Sequence, residues 1–183
     1  MAYATKSIRN NVTGQEIRFL KTSEDTDGEL LDMDATFKAH SREPAPHYHP
    51  SQVEDFTIRS GQLTVRLNGR LRVYKQGDSF RIPRHTVHSM WNEADQPTVV
   101  NWQVRPALIT EYFLETATGL ANDGKTNEEG VPNFLQAVLL LNRFMGVYRL
   151  PKPPLAIQKL VFTTLTPLAY LFGYRPTYKK YID

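Results

Sequence analysis

The stretch from about residue 14 to residue 104 is cut into short runs of alternating side chains, and this limits the fold more than anything else in the chain. In ELLDMDATFKAH, Leu31, Met33, Ala35, Phe37 and Ala39 alternate with Asp32, Asp34, Thr36 and Lys38, the period of a strand with one buried face. QLTVRL runs through Asn68-Gly69 into RLRVY. An Asn-Gly pair between alternating runs specifies a tight hairpin, because both residues accept the positive φ that such a turn needs. SFRIP, HSMWN and TVVNWQV follow at similar spacing. Short strands repeated at this rate predict an antiparallel sandwich or barrel.

The pattern changes after Arg105-Pro106. ALITEYFLETATGL and NFLQAVLLLNRFM carry apolar residues at three and four spacing, which predicts two helices, and LAIQKLVFTTLTPLAYLFGY predicts helix on both sides of Pro167. A length of 183 residues suits one full core with an appendage. The expected division is therefore a β-barrel domain over residues 1–106 and a helical extension over residues 107–183, packed on the barrel or on a partner.

Composition removes several function classes. With no cysteine, disulfide frameworks, thiolate catalysis and cysteine-ligated metals are excluded, so any metal site must use histidine and carboxylate. MAYATKSIRN has no apolar run of signal-peptide length, which points to a cytoplasmic protein. Residues 1–142 hold 15 basic and 18 acidic side chains, whereas residues 143–183 hold seven and one. The positive charge thus belongs to the tail, and no basic stripe interleaved with aromatics offers a nucleic-acid surface.

The stretch HYHPSQVE concentrates the chemistry. Residues two apart on a strand share a face, so His47 and His49 can converge on one point. Glu54 has the wrong parity for the same continuous strand, and Pro50-Ser51 supplies the necessary turn or bulge. From Glu54 the same face continues with Phe56 and Ile58, which would bury the carboxylate among core residues, at a cost that a coordinated cation removes. In GDSFRIPRHTVHSMWN, His88 shares a face with Met90 and can also point inward. Three imidazoles and a carboxylate suit one divalent transition metal, Fe, Mn, Ni, Co or Zn, without selecting among them.

The spacing of these residues resembles the cupin superfamily, specifically its small single-barrel members. His47-Tyr48-His49, Glu54 and Gly61 stand at the spacings of the first cupin motif, and Gly77, Pro83, His88 and Asn92 at those of the second. The resemblance spans roughly residues 30–105. It implies a mostly β fold, a jelly roll or double-stranded β-helix closed as a barrel, with His47, His49, Glu54 and His88 as metal ligands. Two positions depart from the pattern: Ser41 and His85 stand where glycines are usual.

Around such a centre Met33, Phe37, Phe56, Met90 and Trp102 are expected to line an apolar pocket. His85 and Tyr48 are the candidates for acid–base catalysis, although a histidine in a turn more commonly faces solvent. The resemblance implies an enzyme of small-molecule metabolism, dioxygenase-like, isomerase-like or decarboxylase-like, acting as a homodimer. The alternative is a non-catalytic binding protein whose extension docks to a partner or a membrane surface. Residues 160–174 are uncharged and flanked by tyrosines and cations, but the run is short of the ~20 residues of a span and contains Pro167. The string Gly119–Thr126, GLANDGKT, fits a phosphate loop in letters only. A helical pattern precedes it where a strand is required, so it reads as a helix end capped by glycine at Gly119 and then a polar loop.

Overall fold

The computed structural model describes residues 1–182. The first part of the chain forms β1 (Ser7–Arg9), β2 (Glu16–Lys21), β3 (Leu31–Phe37), β4 (Val53–Ser60) and β5 (Gln62–Leu67). It continues with β6 (Arg70–Lys75), β7 (Ser79–Ile82), β8 (His88–Trp91) and β9 (Thr98–Arg105). The strands make two antiparallel sheets, one of six in the order β1-β2-β3-β9-β4-β7 and one of three in the order β6-β5-β8.

The alternation read in residues 31–37 is realised: Leu31, Met33 and Ala35 are fully buried with Phe37 beside them, and the intervening residues are half-buried. These side chains meet Phe19, Phe56, Ile58, Leu63, Val65, Val100 and Val104 between the sheets. Burying a side chain of this size stabilises by about 1.5–3 kcal/mol. The sandwich is therefore held by its central strands and not by β6, an edge strand with mostly exposed side chains. Asn68-Gly69 turns β5 into β6 as expected, with φ of 47° and 83°. Gly61, between β4 and β5, is needed on two counts. Its φ is 78°, and a Cβ there would lie 2.7 Å from Thr98 Oγ1 and 3.0 Å from the Pro97 carbonyl.

The closed barrel expected from the sequence is not formed. The sheets face each other as a sandwich, and among the described residues the small sheet has no fourth strand on its β8 side. The segment that could supply one carries Pro44, Pro46 and Pro50, which lack the N–H a ladder requires. It contributes isolated bridges only, His47 to His88 and Tyr48 to Arg149.

The helical part consists of α1 (Thr110–Asn122), α2 (Phe134–Arg143), α3 (Leu155–Leu171) and the short α4 (Lys179–Ile182). Pro167 lies within α3, which runs as one helix through it. The buried Gln52 side chain donates to the carbonyls of Pro106 and Ala107 and to Thr110 Oγ1, and Lys6 meets Glu115 at 2.6 Å, so α1 is fastened to the sandwich by polar groups. A second core of Leu120, Leu140, Phe144 and Val147 forms between the helices. Gly119 does not cap the helix as expected but lies inside α1, where a Cβ would clash with the ring of Tyr181. Gly124 follows at the helix end with φ of 68°. Its context is a helix end and a ring socket, with no strand leading into a phosphate loop.

Candidate metal centre

The loop leading to His47 is fixed from below by Asn92. This fully buried side chain donates to the carbonyls of Phe37, Lys38 and Gln96 and accepts the amide of Ala94. The Asn92 amide donates to Ser41 Oγ, and the Ser41 amide returns a bond to the Asn92 carbonyl. Ser41, one of the two departures from the motif, thus contributes a hydroxyl that glycine lacks, while the left-handed conformation nearby falls on His40, with φ of 51°. Beyond this clasp, His47 and His88 exchange both backbone bonds, at 3.0 and 2.8 Å. Their rings come to 4.4 Å, and the His49 ring lies 5.1 Å from each.

Each imidazole is oriented through its Nδ1. The Nδ1 of His47 faces the Ala45 carbonyl at 3.3 Å, that of His88 faces the Thr86 carbonyl at 2.9 Å, and that of His49 makes a short contact with the Val147 carbonyl. A carbonyl only accepts, so all three Nδ1 atoms carry the proton and a neutral ring then presents its Nε2 lone pair. One ligand atom from each of the three lies within 4.8 Å of the others. Glu54 completes the set: its Oε2 lies 3.2 Å from Nε2 of both His49 and His88, and its Oε1 accepts a bond of 2.9 Å from Trp102 Nε1.

The electrostatics of this cluster call for a positive charge at its middle. His49, Glu54 and His88 are all buried, and His49 Nε2 and Glu54 Oε2 have no hydrogen-bond partner. Burial holds His47 well below its ordinary pKa, with the charges of the other two histidines pushing the same way. Burial also disfavours ionisation of Glu54, but the neighbouring His49 and His88 outweigh it and keep the carboxyl well below the usual range. Burial pushes His49 down, and the carboxylate beside it more than restores the balance, so its pKa is raised. A proton on His49 serves only one edge of the cluster. The inward Nε2 atoms and the buried carboxylate are served together by a single cation, and the donor set fits a divalent transition metal.

The outer wall comes from the turn between α2 and α3. Val147 provides the carbonyl for His49, Tyr148 stacks on His47 at 4.4 Å and 19°, and Arg149 exchanges two backbone bonds with Tyr48. Burial drives the Tyr148 hydroxyl up to about 12, so the ring serves as an uncharged cover at neutral pH. Val147 and Tyr148 did not emerge from the sequence: no pattern signals a carbonyl donated from one segment to another, and the pair stands between two helical runs.

The remaining candidates divide. Trp102 touches Glu54 and stacks with Phe56 at 5.8 Å. Met33, Phe37 and Phe56 are buried core, with Met90 packed against them. Phe37 and Met90 also line a cavity of about 330 Å³, with Lys38 and Glu43 among its other lining residues. His85 and Tyr48 stand elsewhere. His85 is exposed at φ of 63°, its amide bound to the His49 carbonyl and its ring 5.9 Å from that of Tyr48. Among the described residues, neither side chain makes a hydrogen bond to the cluster. The second departure from the motif is therefore a histidine in the left-handed conformation of a turn, which ordinarily favours glycine.

Residues 33–104 match the cupin domain family, a span from β3 to β9 that contains all four donors and ends before the helices. No curated protein matches the chain. Among solved structures it is similar to an RmlC-like cupin from Shewanella frigidimarina, at 19% identity over 61% of this chain and 94% of that one, with a TM-score of 0.48. A sugar phosphate isomerase from a cupin superfamily of Silicibacter pomeroyi aligns at 15% identity over 55% and 71%, also at 0.48. KdgF from Halomonas sp. aligns at 22% identity over 51% and 79%, at 0.44.

Proposed function

Because residues 33–104 form a cupin domain that brings three histidines and a glutamate to one point, we propose that the protein is a metal-dependent enzyme acting on a small molecule. His47, His49, Glu54 and His88 are the ligands. The observation that carries this reading is the buried pair His49 Nε2 and Glu54 Oε2, which lie 3.2 Å apart without a formed hydrogen bond to any group of the described residues, inside a cluster whose Nδ1 atoms are already committed. A bound divalent ion would supply a Lewis acid or a site for oxygen activation, and the cupin resemblance suggests dioxygenase, isomerase or decarboxylase chemistry without choosing among them. The chain's own part is orientation and exclusion of water. The three carbonyls fix the imidazoles, Trp102 fixes the carboxylate, and Tyr148 covers His47.

The test is metal analysis of the purified full chain, followed by loading with Co(II) and absorption spectroscopy. We expect about one ion per chain and a visible spectrum that His88→Ala abolishes. An ion-free protein that refuses loading overturns the reading. A second reading, a binding protein without turnover, is favoured by the placement of His85 and Tyr48 away from the cluster. Metal-loaded protein that binds small molecules tightly but neither consumes dioxygen nor converts them decides for it.

A further inference from the structure

The α3 helix is apolar on two sides and only one of them is used. Gln158, Phe162 and Ala169 are buried, four and seven residues apart, on the side packed toward α2. The opposite side carries Ile157, Leu160, Leu168 and Leu171, with exposures of 49, 68, 41 and 82%, and Phe172 follows at 66%. Spacings of three, eight and three residues place these four in one stripe along a helix of 17 residues, about 25 Å long. A stripe of this length facing water is unusual for a solvated helix and marks a surface that meets something apolar.

Charge identifies the occupant. Apart from Asp183, residues 143–183 contain no acidic side chain, and seven basic ones are spread through them. Lys152, Lys159, Arg175 and Lys179 are exposed and make no ion pair among the described residues; Lys180 alone is engaged, by Asp123. A second copy meeting this face about a two-fold axis would bring two such cationic surfaces together. An anionic bilayer offers hydrocarbon to the stripe and phosphate to its flanking cations. No helix of the described residues is long and apolar enough to cross a membrane, so the contact is one of lying on the surface. We propose that the outward face of α3 docks the protein on an anionic lipid surface, in the plane of the headgroups. This holds whether or not the histidine cluster carries a metal.

The experiment is flotation of the full-length protein with vesicles of phosphatidylcholine alone or containing one third phosphatidylglycerol. We expect binding to the anionic vesicles only, weakened at least tenfold in 0.5 M salt. The L160E/L171E variant should lose binding at least tenfold while its melting temperature and metal content stay unchanged. Lys159→Glu should cost at least roughly fivefold, the effect of losing one surface cation. Should the double variant fail to fold, Leu171→Gln is read instead, since that side chain is the most exposed of the stripe. No flotation with anionic vesicles, or flotation indifferent to these substitutions, overturns the proposal. So does a dimer in sedimentation that L160E/L171E disperses without any vesicle binding, which assigns the face to a second copy.

Discussion

The floor of the metal centre and its outer wall are built by different means. The floor is made of side chains on strands and bridges within the sandwich: His88 opens β8, Glu54 lies near the start of β4, and His47 is paired to His88 through the backbone. The wall is made by the turn after α2, and two of its contributions, the carbonyl of Val147 and the backbone of Arg149, involve no side chain. The difference teaches that the chain divides the placing of the clustered side chains, the proposed ligands of an ion, from the aiming of their rings. The β part supplies the donors, and the helical part fixes the tautomer of one of them and covers another. The extension is in this sense a component of the centre.

That division can be broken from either side. The largest effect is expected in the floor: Glu54→Gln or His88→Ala should lower metal affinity more than 100-fold, read as loss of the ion on gel filtration, with the sandwich still folded by circular dichroism. Next is the wall. Phe144 is fully buried beneath Val147 and Tyr148 in the helical core, so Phe144→Ala should lower stability by about 3–5 kcal/mol in urea unfolding. If the wall aims His49, the same variant also loses metal affinity at temperatures where it is folded. Unchanged affinity would mean that the wall only covers. Trp102→Phe keeps the packing but removes the donor to Glu54 Oε1, and should weaken metal binding about 10-fold to 100-fold by titration against a chelator. The smallest effect is at the surface. His85→Gly relieves the positive φ and should raise stability by up to about 1 kcal/mol without altering metal content. A large loss of activity in that variant would return His85 to the catalytic set.

Much of the floor could be read in advance, because its information lies in side chains at short range. His47-x-His49 reports a shared face, Asn68-Gly69 reports a hairpin, and the alternation from Leu31 to Phe37 reports which side is buried. What could not be read depends on backbone groups and on distance along the chain. Pro50-Ser51 signalled a turn, but the effect of Pro44, Pro46 and Pro50 together, a pair of sheets left open where a barrel was expected, follows only once the small sheet of the described residues is seen to end at β8. The same holds for Val147, which lies 98 positions from the histidine it orients. Histidine in place of the usual glycine at position 85 was visible as a departure, and its meaning as a left-handed turn residue needed the dihedral angle.

The reciprocal backbone bonds between His47 and His88 carry one more consequence. Two residues joined in this way behave as the jaws of a caliper with their backbones held at one opening, since neither segment can slide without breaking both bonds. A jaw set beforehand incurs little ordering cost when an ion arrives. If the proposed ion binds there, the same pairing would limit how far the two backbones could part for an ion of larger radius.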